Sequence, residues 1–160
     1  MLLTNRDTPS LDRKCSLAPL STEVGVRIGQ AGAGMDATVA QHRRAMWREV
    51  GVAEADLQPD LEARTLAFIA DARERLEYQT IVATDAASGE VVGSASCQVW
   101  AGPLPNVLHE RAFKLGTVWA VYVRPSHRRH GIATNLMEHV VAHWKNIGCQ
   151  RGVLLHATDA

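Results

Sequence analysis

Segment 118–146 contains the residues whose types and spacing are best suited to chemistry. A β-branched run ends at Pro125, a short basic turn follows, and Arg128, Gly131 and Ala133 form an R-x-x-G-x-A pattern where a helix is expected to begin. Small residues let backbone N–H groups approach a ligand closely, and these groups lie at the positive end of the helix. The pattern therefore predicts a site for an anionic ligand, in the form of a phosphate cradle.

The order strand, basic turn and amphipathic helix resembles the acyl-CoA signature Q/R-x-x-G-x-G/A of the GCN5-related N-acetyltransferases (GNAT family). The resemblance implies that amides of the turn bind the pyrophosphate of coenzyme A and that the two arginines add charge. The implied residues of this loop are Arg128, Arg129, His130, Gly131, Ile132, Ala133 and Thr134. The alternative is an ordinary connection, with a glycine for tight geometry and arginines in solvent.

The same resemblance assigns a binding role to the strand that precedes the turn. In the family this central strand splays from the fifth strand and exposes its N–H and C=O groups. In this sequence the corresponding residues are Val121, Tyr122 and Val123. Their backbone groups are expected to contact the pantetheine arm and the thioester carbonyl of acetyl-CoA.

Length and composition limit the classes of function. A chain of 160 residues fits one domain and can bury a core without disulfides or metal. Because it has 17 acidic and 17 basic residues, nucleic acid is not an expected partner. The net charge of zero also favours a small molecule over a basic protein tail as the acceptor of the acetyl group. No stretch is long enough to cross a bilayer, and three scattered cysteines without a C-x-x-C pair indicate reduced thiols in a cytoplasm.

Hydrophobic periodicity predicts the order β-α-α-β-β-β-α-β. This order resembles that of the GNAT family, which implies an α/β (α+β) fold with a mixed sheet flanked by helices. Residues 1–22 are expected to be a flexible leader and residues 23–160 the acyltransferase domain. The predicted strands are Val24–Ile28, Thr80–Thr84, Val91–Trp100, 117–123 and Gly152–Thr158, and the predicted helices run from Asp36 to Val50, from about Pro59 to Tyr78 and from Gly131 to about Asn146.

Three local features support these elements. Asp36 is a suitable N-cap for the first helix, and Gly89 can take the positive φ of a turn between two strands. In the third helix Ile132, Leu136, Val140 and Trp144 recur at i+4 spacing, and this stripe is interpreted as core.

The sequence departs from the family after the predicted fifth strand. Family members normally continue with a helix and two further strands, and that helix often carries a tyrosine that protonates the leaving thiolate. The tyrosines of this chain, Tyr78 and Tyr122, do not occupy that position, so no general acid can be assigned. The absent elements predict either a truncated product or a homodimer that covers the edge of the fifth strand.

A general base is equally hard to assign. The family commonly uses a glutamate on the fourth strand, but no acid lies between Thr117 and Val123. Glu110, in the long excursion before that strand, is the nearest carboxylate in sequence, and His109 beside it could titrate near neutrality. Simple solvation of both side chains and a base reached through water are the alternatives.

The remaining residues of possible functional interest have simpler interpretations. His139 and His143 have a spacing that suits metal ligands but lack a third ligand in any recognisable motif, so no metal is expected. Trp100 and Trp119 are interpreted as core or near-core aromatics. Trp47 either packs or lines an acceptor pocket, and packing is favoured.

Two functional hypotheses from different classes follow. The first is an N-acetyltransferase that transfers the acetyl group of acetyl-CoA to a primary amine of a small molecule or peptide by direct attack in a ternary complex. The second is a non-catalytic or partner-dependent acyl-CoA-binding module. A dinucleotide-binding Rossmann domain is disfavoured, since its glycine-rich turn usually follows the first strand and here the turn comes late.

Overall fold

The computed structural model describes residues 25–102 and 107–154. Its strands are β1 (Val26–Gln30), β2 (Gln79–Asp85), β3 (Val91–Val99), β4 (Leu115–Val123) and β5 (Arg151–Leu154), and its helices are α1 (Asp36–Glu49), α2 (Leu61–Arg75) and α3 (Ile132–Asn146). This confirms the predicted order of elements. The expected leader 1–22 and the end of the predicted fifth strand lie outside the described residues.

The strands form one mixed sheet in the order β1-β2-β3-β4-β5. Neighbouring strands are antiparallel except β4 and β5, which α3 connects in parallel. The described pairing of β4 with β5 runs from Leu115 opposite Arg151 to Val118 opposite Leu154. The C-terminal end of β4 and the N-terminal end of α3 lie at the same end of the strands, as in other strand-helix-strand units.

One face of the sheet carries α3 and an apolar core. Ile132, Leu136, Val140 and Trp144 are all buried against strand residues, which confirms the predicted stripe. Trp144 lies so close to the sheet that a Cβ on Gly116 would be 2.5 Å from its ring. This packing holds the C-terminal end of α3 against the start of β4.

The opposite face carries α1 and α2 and is more polar. Val39 of α1 and Ile69 of α2 pack around Tyr78. The Tyr78 hydroxyl lies 2.6 Å from Thr80 Oγ1 and 2.9 Å from Ser96 Oγ, and both of these side chains are buried. Buried hydroxyls need hydrogen-bond partners. This network therefore fixes the Tyr78 ring against the sheet face that contacts α1 and α2.

Two turn predictions have different outcomes. Gly89 has a φ of 75°, as expected for the turn between β2 and β3. Asp36, by contrast, is the first residue of α1, and the N-cap position belongs to Met35, so the predicted cap is wrong. The Asp36 carboxylate instead accepts a hydrogen bond from Arg73 Nη2 over 2.6 Å, because a bidentate ion pair with α2 competes with local capping.

Candidate active site

The loop between β4 and α3 leaves backbone donors directed outward. Arg129 and Gly131 have φ values of 67° and 74°, and no side chain caps the helix. The first intrahelical bond runs from the Asn135 N–H to the Gly131 carbonyl over 3.0 Å, so the preceding amides, including those of Ala133 and Thr134, lack helical acceptors. These amides and the helix dipole together give the loop a local positive charge that suits an anion.

The loop has free space at the position where the sequence pattern requires it. A Cβ built on Gly131 would meet no heavy atom within 4 Å. Gly131, Ala133 and Thr134 are all exposed. The positive φ, not steric crowding, is what requires glycine here in the isolated chain, because this conformation is costly for other residues.

The two arginines of the loop have different surroundings. Arg128 donates from Nε to the Val123 carbonyl oxygen over 2.8 Å, pairs with Glu49 through Nη2, and lies 5.8 Å from the Tyr122 ring centroid. Arg129 is exposed, and no described side chain pairs with it. Arg128 therefore braces the loop, while Arg129 is available to a ligand.

A β-bulge interrupts β4 beside the loop. Trp119 lies opposite Ser96 and Tyr122 opposite Ser94, so β4 has one more residue than β3 in this interval. Within it Ala120 has a φ of 53°, which is uncommon for a residue other than glycine. Bulges bend a strand and redirect its backbone groups, and this one changes the direction of β4 immediately before Val121.

A single cleft of about 1410 Å³ connects the bulge and the loop with the surface of α1 and α2. This volume exceeds the range typical of small-ligand pockets and suits a long cosubstrate together with an acceptor. The predicted site residues that line the cleft are Val121, Tyr122, Val123, Arg128, Arg129, Gly131, Ile132, Ala133 and Thr134. His130 is exposed and is not among the lining residues.

Comparison with known families agrees with this geometry. The model of the acetyltransferase (GNAT) family matches residues 38–160. The chain belongs to the GNAT family. The comparison with curated proteins gave no significant match.

Solved structures share the fold. A GCN5-related N-acetyltransferase from Ralstonia eutropha JMP134 is 28% identical, with a TM-score of 0.66 over 84% of this chain and 85% of that chain. A predicted acetyltransferase from Clostridium acetobutylicum, whose structure contains acetyl-CoA, is 14% identical, with a TM-score of 0.68 over 82% and 81% of the two chains. Glucosamine-6-phosphate N-acetyltransferase from Arabidopsis thaliana is 17% identical, with a TM-score of 0.57 over 82% of each chain.

Glu110, the catalytic candidate from the sequence, does not lie in the cleft. Glu110 and His109 are exposed, and neither lines the cleft. The backbone carbonyl of Glu110 accepts a hydrogen bond from Gln150 Nε2 over 3.4 Å instead. Among the described residues, the carboxylates that line the cleft are Glu49, at the end of α1, and Asp56, in the turn before α2. Sequence spacing gives no signal for either, because both are distant from the motif.

Tyr122 connects the GNAT loop with a buried histidine behind the cleft wall. The rings of Tyr122 and His42 are 4.8 Å apart, and His42 Nδ1 lies 2.9 Å from Ser94 Oγ. Burial, with a contribution from the nearby Glu49 carboxylate, raises the pKa of Tyr122 above its ordinary value, so its hydroxyl is protonated at neutral pH. Burial lowers the pKa of His42 to about 4, so this imidazole is neutral.

The tryptophans contribute more to the cleft than the sequence indicated. Trp100 is 40% exposed and lines the cleft, so its interpretation as a core or near-core residue is wrong. Trp119 is half-buried and forms part of the cleft wall, where Phe68 meets it edge-on at 5.4 Å. Trp47 also lines the cleft. The end of the cleft formed by α1, α2 and the start of β4 is therefore aromatic.

The histidines of α3 have structural partners. His139 Nδ1 lies 2.9 Å from the Asn135 carbonyl oxygen, and His143 Nε2 lies 3.4 Å from the Glu77 carbonyl oxygen. Across residues 25–102 and 107–154, no group of three or more His, Cys, Asp or Glu side chains is arranged to hold a metal ion. Within the same ranges no helix is both long and apolar enough to span a bilayer.

Proposed function

We propose that this GNAT protein transfers the acetyl group of acetyl-CoA to a primary amine of a small molecule or peptide by direct attack in a ternary complex. One observation carries the proposal: a single cleft joins the anion-binding loop, the bulged strand and an aromatic acceptor end. A cosubstrate held at the loop and an acceptor held at the aromatic end would meet at the bulge.

The loop supplies the binding energy for the diphosphate. Amides of Ala133 and Thr134 are available at the start of α3, and the open space at Gly131 admits the phosphate groups. The exposed guanidinium of Arg129 adds a charge-assisted contact. His130 and Ile132 contribute through their backbone groups, as the family resemblance implies.

The bulged strand positions the reacting carbonyl. The amine nitrogen attacks the thioester carbon, the carbonyl oxygen becomes an oxyanion, and the C–S bond then breaks to release CoA thiolate. Backbone N–H groups near Val121 and Val123 are the donors proposed to stabilise that oxyanion. Because the donors are fixed by the sheet, they need little reorganisation during the reaction.

The amine must lose a proton, since a free primary amine has a pKa of about 10. Glu49 is already paired with Arg128, and Glu110 lies outside the cleft. We therefore propose that water in the cleft carries the proton away to Asp56, an exposed carboxylate that also lines the cleft. General-base assistance of this kind contributes less than positioning does here.

A turnover assay tests the proposal. Purified protein is incubated with acetyl-CoA and a panel of amines, and release of free CoA thiol is followed with a thiol reagent. The proposal expects release that depends on a particular amine and disappears in Gly131→Glu. Binding of acetyl-CoA without release of CoA for any amine would favour the alternative, a non-catalytic acyl-CoA-binding module. The ion pair of Glu49 with Arg128 motivates this alternative, because it leaves Glu49 unavailable as a general base.

The setting of the reaction is a further part of the proposal. Cys97 and Cys149 are free thiols, consistent with a reducing cytoplasm. All four residues of β5 are exposed, and its Leu154 side is apolar, so a second copy of the chain could pair there. Light scattering after gel filtration distinguishes the proposed homodimer from a monomer.

A further inference from the structure

One arginine at the acceptor end of the cleft differs from its neighbours. The helices α1 and α2 together contain six arginines, and each of the other five pairs with a carboxylate: Arg44 with Glu54 and Glu62, Arg48 with Glu54, Arg64 with Asp60, Arg73 with Asp36, and Arg75 with Asp71. Arg43 has no carboxylate partner among the described residues. Its guanidinium carbon lies 4.5 Å from the centroid of the Trp119 ring.

The missing partner matters because Arg43 is half-buried. Burial of the guanidinium lowers its pKa, which reflects the cost of removing a cation from water. A partly buried charge is normally compensated by an opposite charge, and stacking on an aromatic ring offsets only part of that cost. Arg43 lines the cleft, so a ligand can supply the missing anion.

Two buried polar side chains next to Trp119 also face the cleft. Thr117 is 2% exposed, and its Oγ1 has no hydrogen-bond partner among the described residues. Its cross-strand neighbour Gln98 is 8% exposed and accepts a hydrogen bond from Trp119 Nε1 over 3.3 Å. The Gln98 amide N–H groups remain as donors. Both residues line the cleft. Buried polar atoms without a hydrogen-bond partner are rare, and of the three among the described residues, His42 Nε2, Thr117 Oγ1 and Trp144 Nε1, only Thr117 Oγ1 belongs to a residue that lines the cleft.

The rest of this end is apolar. Phe68 is 38% exposed and Trp100 is 40% exposed, although both are large hydrophobic side chains that line the cleft. Trp47 and Leu57 extend the same wall. An acceptor with only charged groups would leave these apolar side chains exposed to water, whereas an apolar group on the acceptor would bury them.

We propose that the acceptor is an amino acid with an apolar side chain, whose carboxylate binds Arg43 while its amine faces the bulge at Ala120. This inference rests on the proposed acetyl transfer. The planar guanidinium matches a carboxylate through two parallel hydrogen bonds, and Thr117 and Gln98 add further donors. Trp119 directly precedes Ala120, and the Arg43 guanidinium stacks on the Trp119 ring. A carboxylate bound to that guanidinium would therefore place an α-amine, two bonds from the carboxylate carbon, beside the bulged strand.

The experiment compares L-phenylalanine with two analogues that lack the anion, phenethylamine and L-phenylalanine amide. Turnover is assayed for wild type, Arg43→Gln and the control Arg27→Gln. The control removes an exposed arginine of β1 that does not line the cleft. Wild type is expected to prefer L-phenylalanine in kcat/KM by at least about tenfold, which corresponds to about 1.4 kcal/mol. Arg43→Gln should remove the preference through KM for the amino acid, with KM for acetyl-CoA unchanged.

A binding measurement separates this inference from the proposed function. Quenching of tryptophan fluorescence by L-phenylalanine, with CoA present, reports on the acceptor end without any reaction. Binding that depends on Arg43 without turnover of any amine would contradict acetyl transfer and keep the subsite. Turnover that is equal with and without the carboxylate, or that keeps its preference in Arg43→Gln, would overturn the subsite.

A second variant guards against misfolding of Arg43→Gln. Thr117→Val keeps the shape of the side chain and removes a hydroxyl that has no described partner, so the fold should be kept. Binding of L-phenylalanine should weaken about threefold or more, as expected for one lost neutral hydrogen bond. Unchanged binding in both variants would overturn the proposal.

Discussion

Arg128 donates its Nε–H to the carbonyl oxygen of Val123 over 2.8 Å. This bond ties the loop that precedes α3 to the last residue of β4. Since the loop holds the diphosphate and the strand holds the thioester in the proposed complex, one side chain keeps the two binding elements in register. Arg128 also pairs with Glu49 of α1, so three elements meet at one guanidinium.

Arg128 and Arg129 should respond differently to the same substitution. Arg128→Lys keeps the charge but removes the Nε donor, and acetyl-CoA affinity is expected to fall about tenfold, as for a lost hydrogen bond that involves a charged group. Arg129→Lys is the matched control and should retain affinity within about twofold, because Arg129 acts through charge alone. Calorimetric titration with acetyl-CoA measures both, and equal losses would contradict the bracing role.

Gly131 should be sensitive to negative charge. Gly131→Glu introduces a carboxylate at the anion site, and CoA affinity should fall by at least about a hundredfold, which is about 2.7 kcal/mol. The fold should survive, because a Cβ there has open space and the positive φ costs about 1–2 kcal/mol. Calorimetry and thermal unfolding give the two readouts.

Gly148 provides the control for that change. It has a φ of 80°, has open space at its Cβ, and does not line the cleft. Gly148→Glu therefore introduces the same charge and similar strain elsewhere. Equal CoA affinity in the two variants would show that the loop does not bind the diphosphate.

The bulge at Ala120 can be tested at a single position. Ala120→Val places a β-branched side chain at a φ of 53°, and the free energy of unfolding should fall by about 1–3 kcal/mol. Acetyl-CoA binding should weaken too, since relief of the strain straightens β4. Ala120→Gly tolerates the conformation and should remain close to wild type in both. Denaturant unfolding and calorimetry distinguish these outcomes. Normal acetyl-CoA binding by Ala120→Val would show that the bulge is not needed for binding.

Local patterns predicted the elements that local forces determine. The stripe from Ile132 to Trp144 is buried because its spacing matches the helical period. Gly89 and Gly131 have the positive φ values that their turns require. The loop at the start of α3 can therefore be predicted from local sequence alone.

Features that depend on tertiary contacts were not visible. Ala120 adopts a positive φ because β3 and β4 differ by one residue in their register, and alanine itself gives no sign of this. Arg43 is distinctive only because its neighbours on α1 and α2 find carboxylates and it does not. The expectation that Trp100 is a core or near-core residue follows from the usual burial of large aromatic side chains, whereas Trp100 is part of an open cleft.

His42 should make the stability of the protein depend on pH. Its imidazole is buried and has a pKa of about 4, against an ordinary value of 6.5. Below pH 6.5 the unfolded chain binds a proton that the native protein does not. The free energy of unfolding should therefore fall as the pH drops from 6.5 to 4, by a total on the order of 2 kcal/mol after allowance for solvent screening.

The variant His42→Gln isolates this contribution. Carboxylates such as Glu62, whose pKa the Arg44 side chain lowers to about 2, also cost stability in acid, but they are common to both proteins and cancel in the difference. Denaturant unfolding at several pH values should give curves for wild type and His42→Gln that converge from pH 6.5 to 4 and keep a constant separation above pH 7. The control His109→Gln removes an exposed imidazole and should follow wild type. Parallel curves for wild type and His42→Gln across the whole range would mean that His42 has the same pKa in the native protein as in the unfolded chain, which would contradict the lowered pKa.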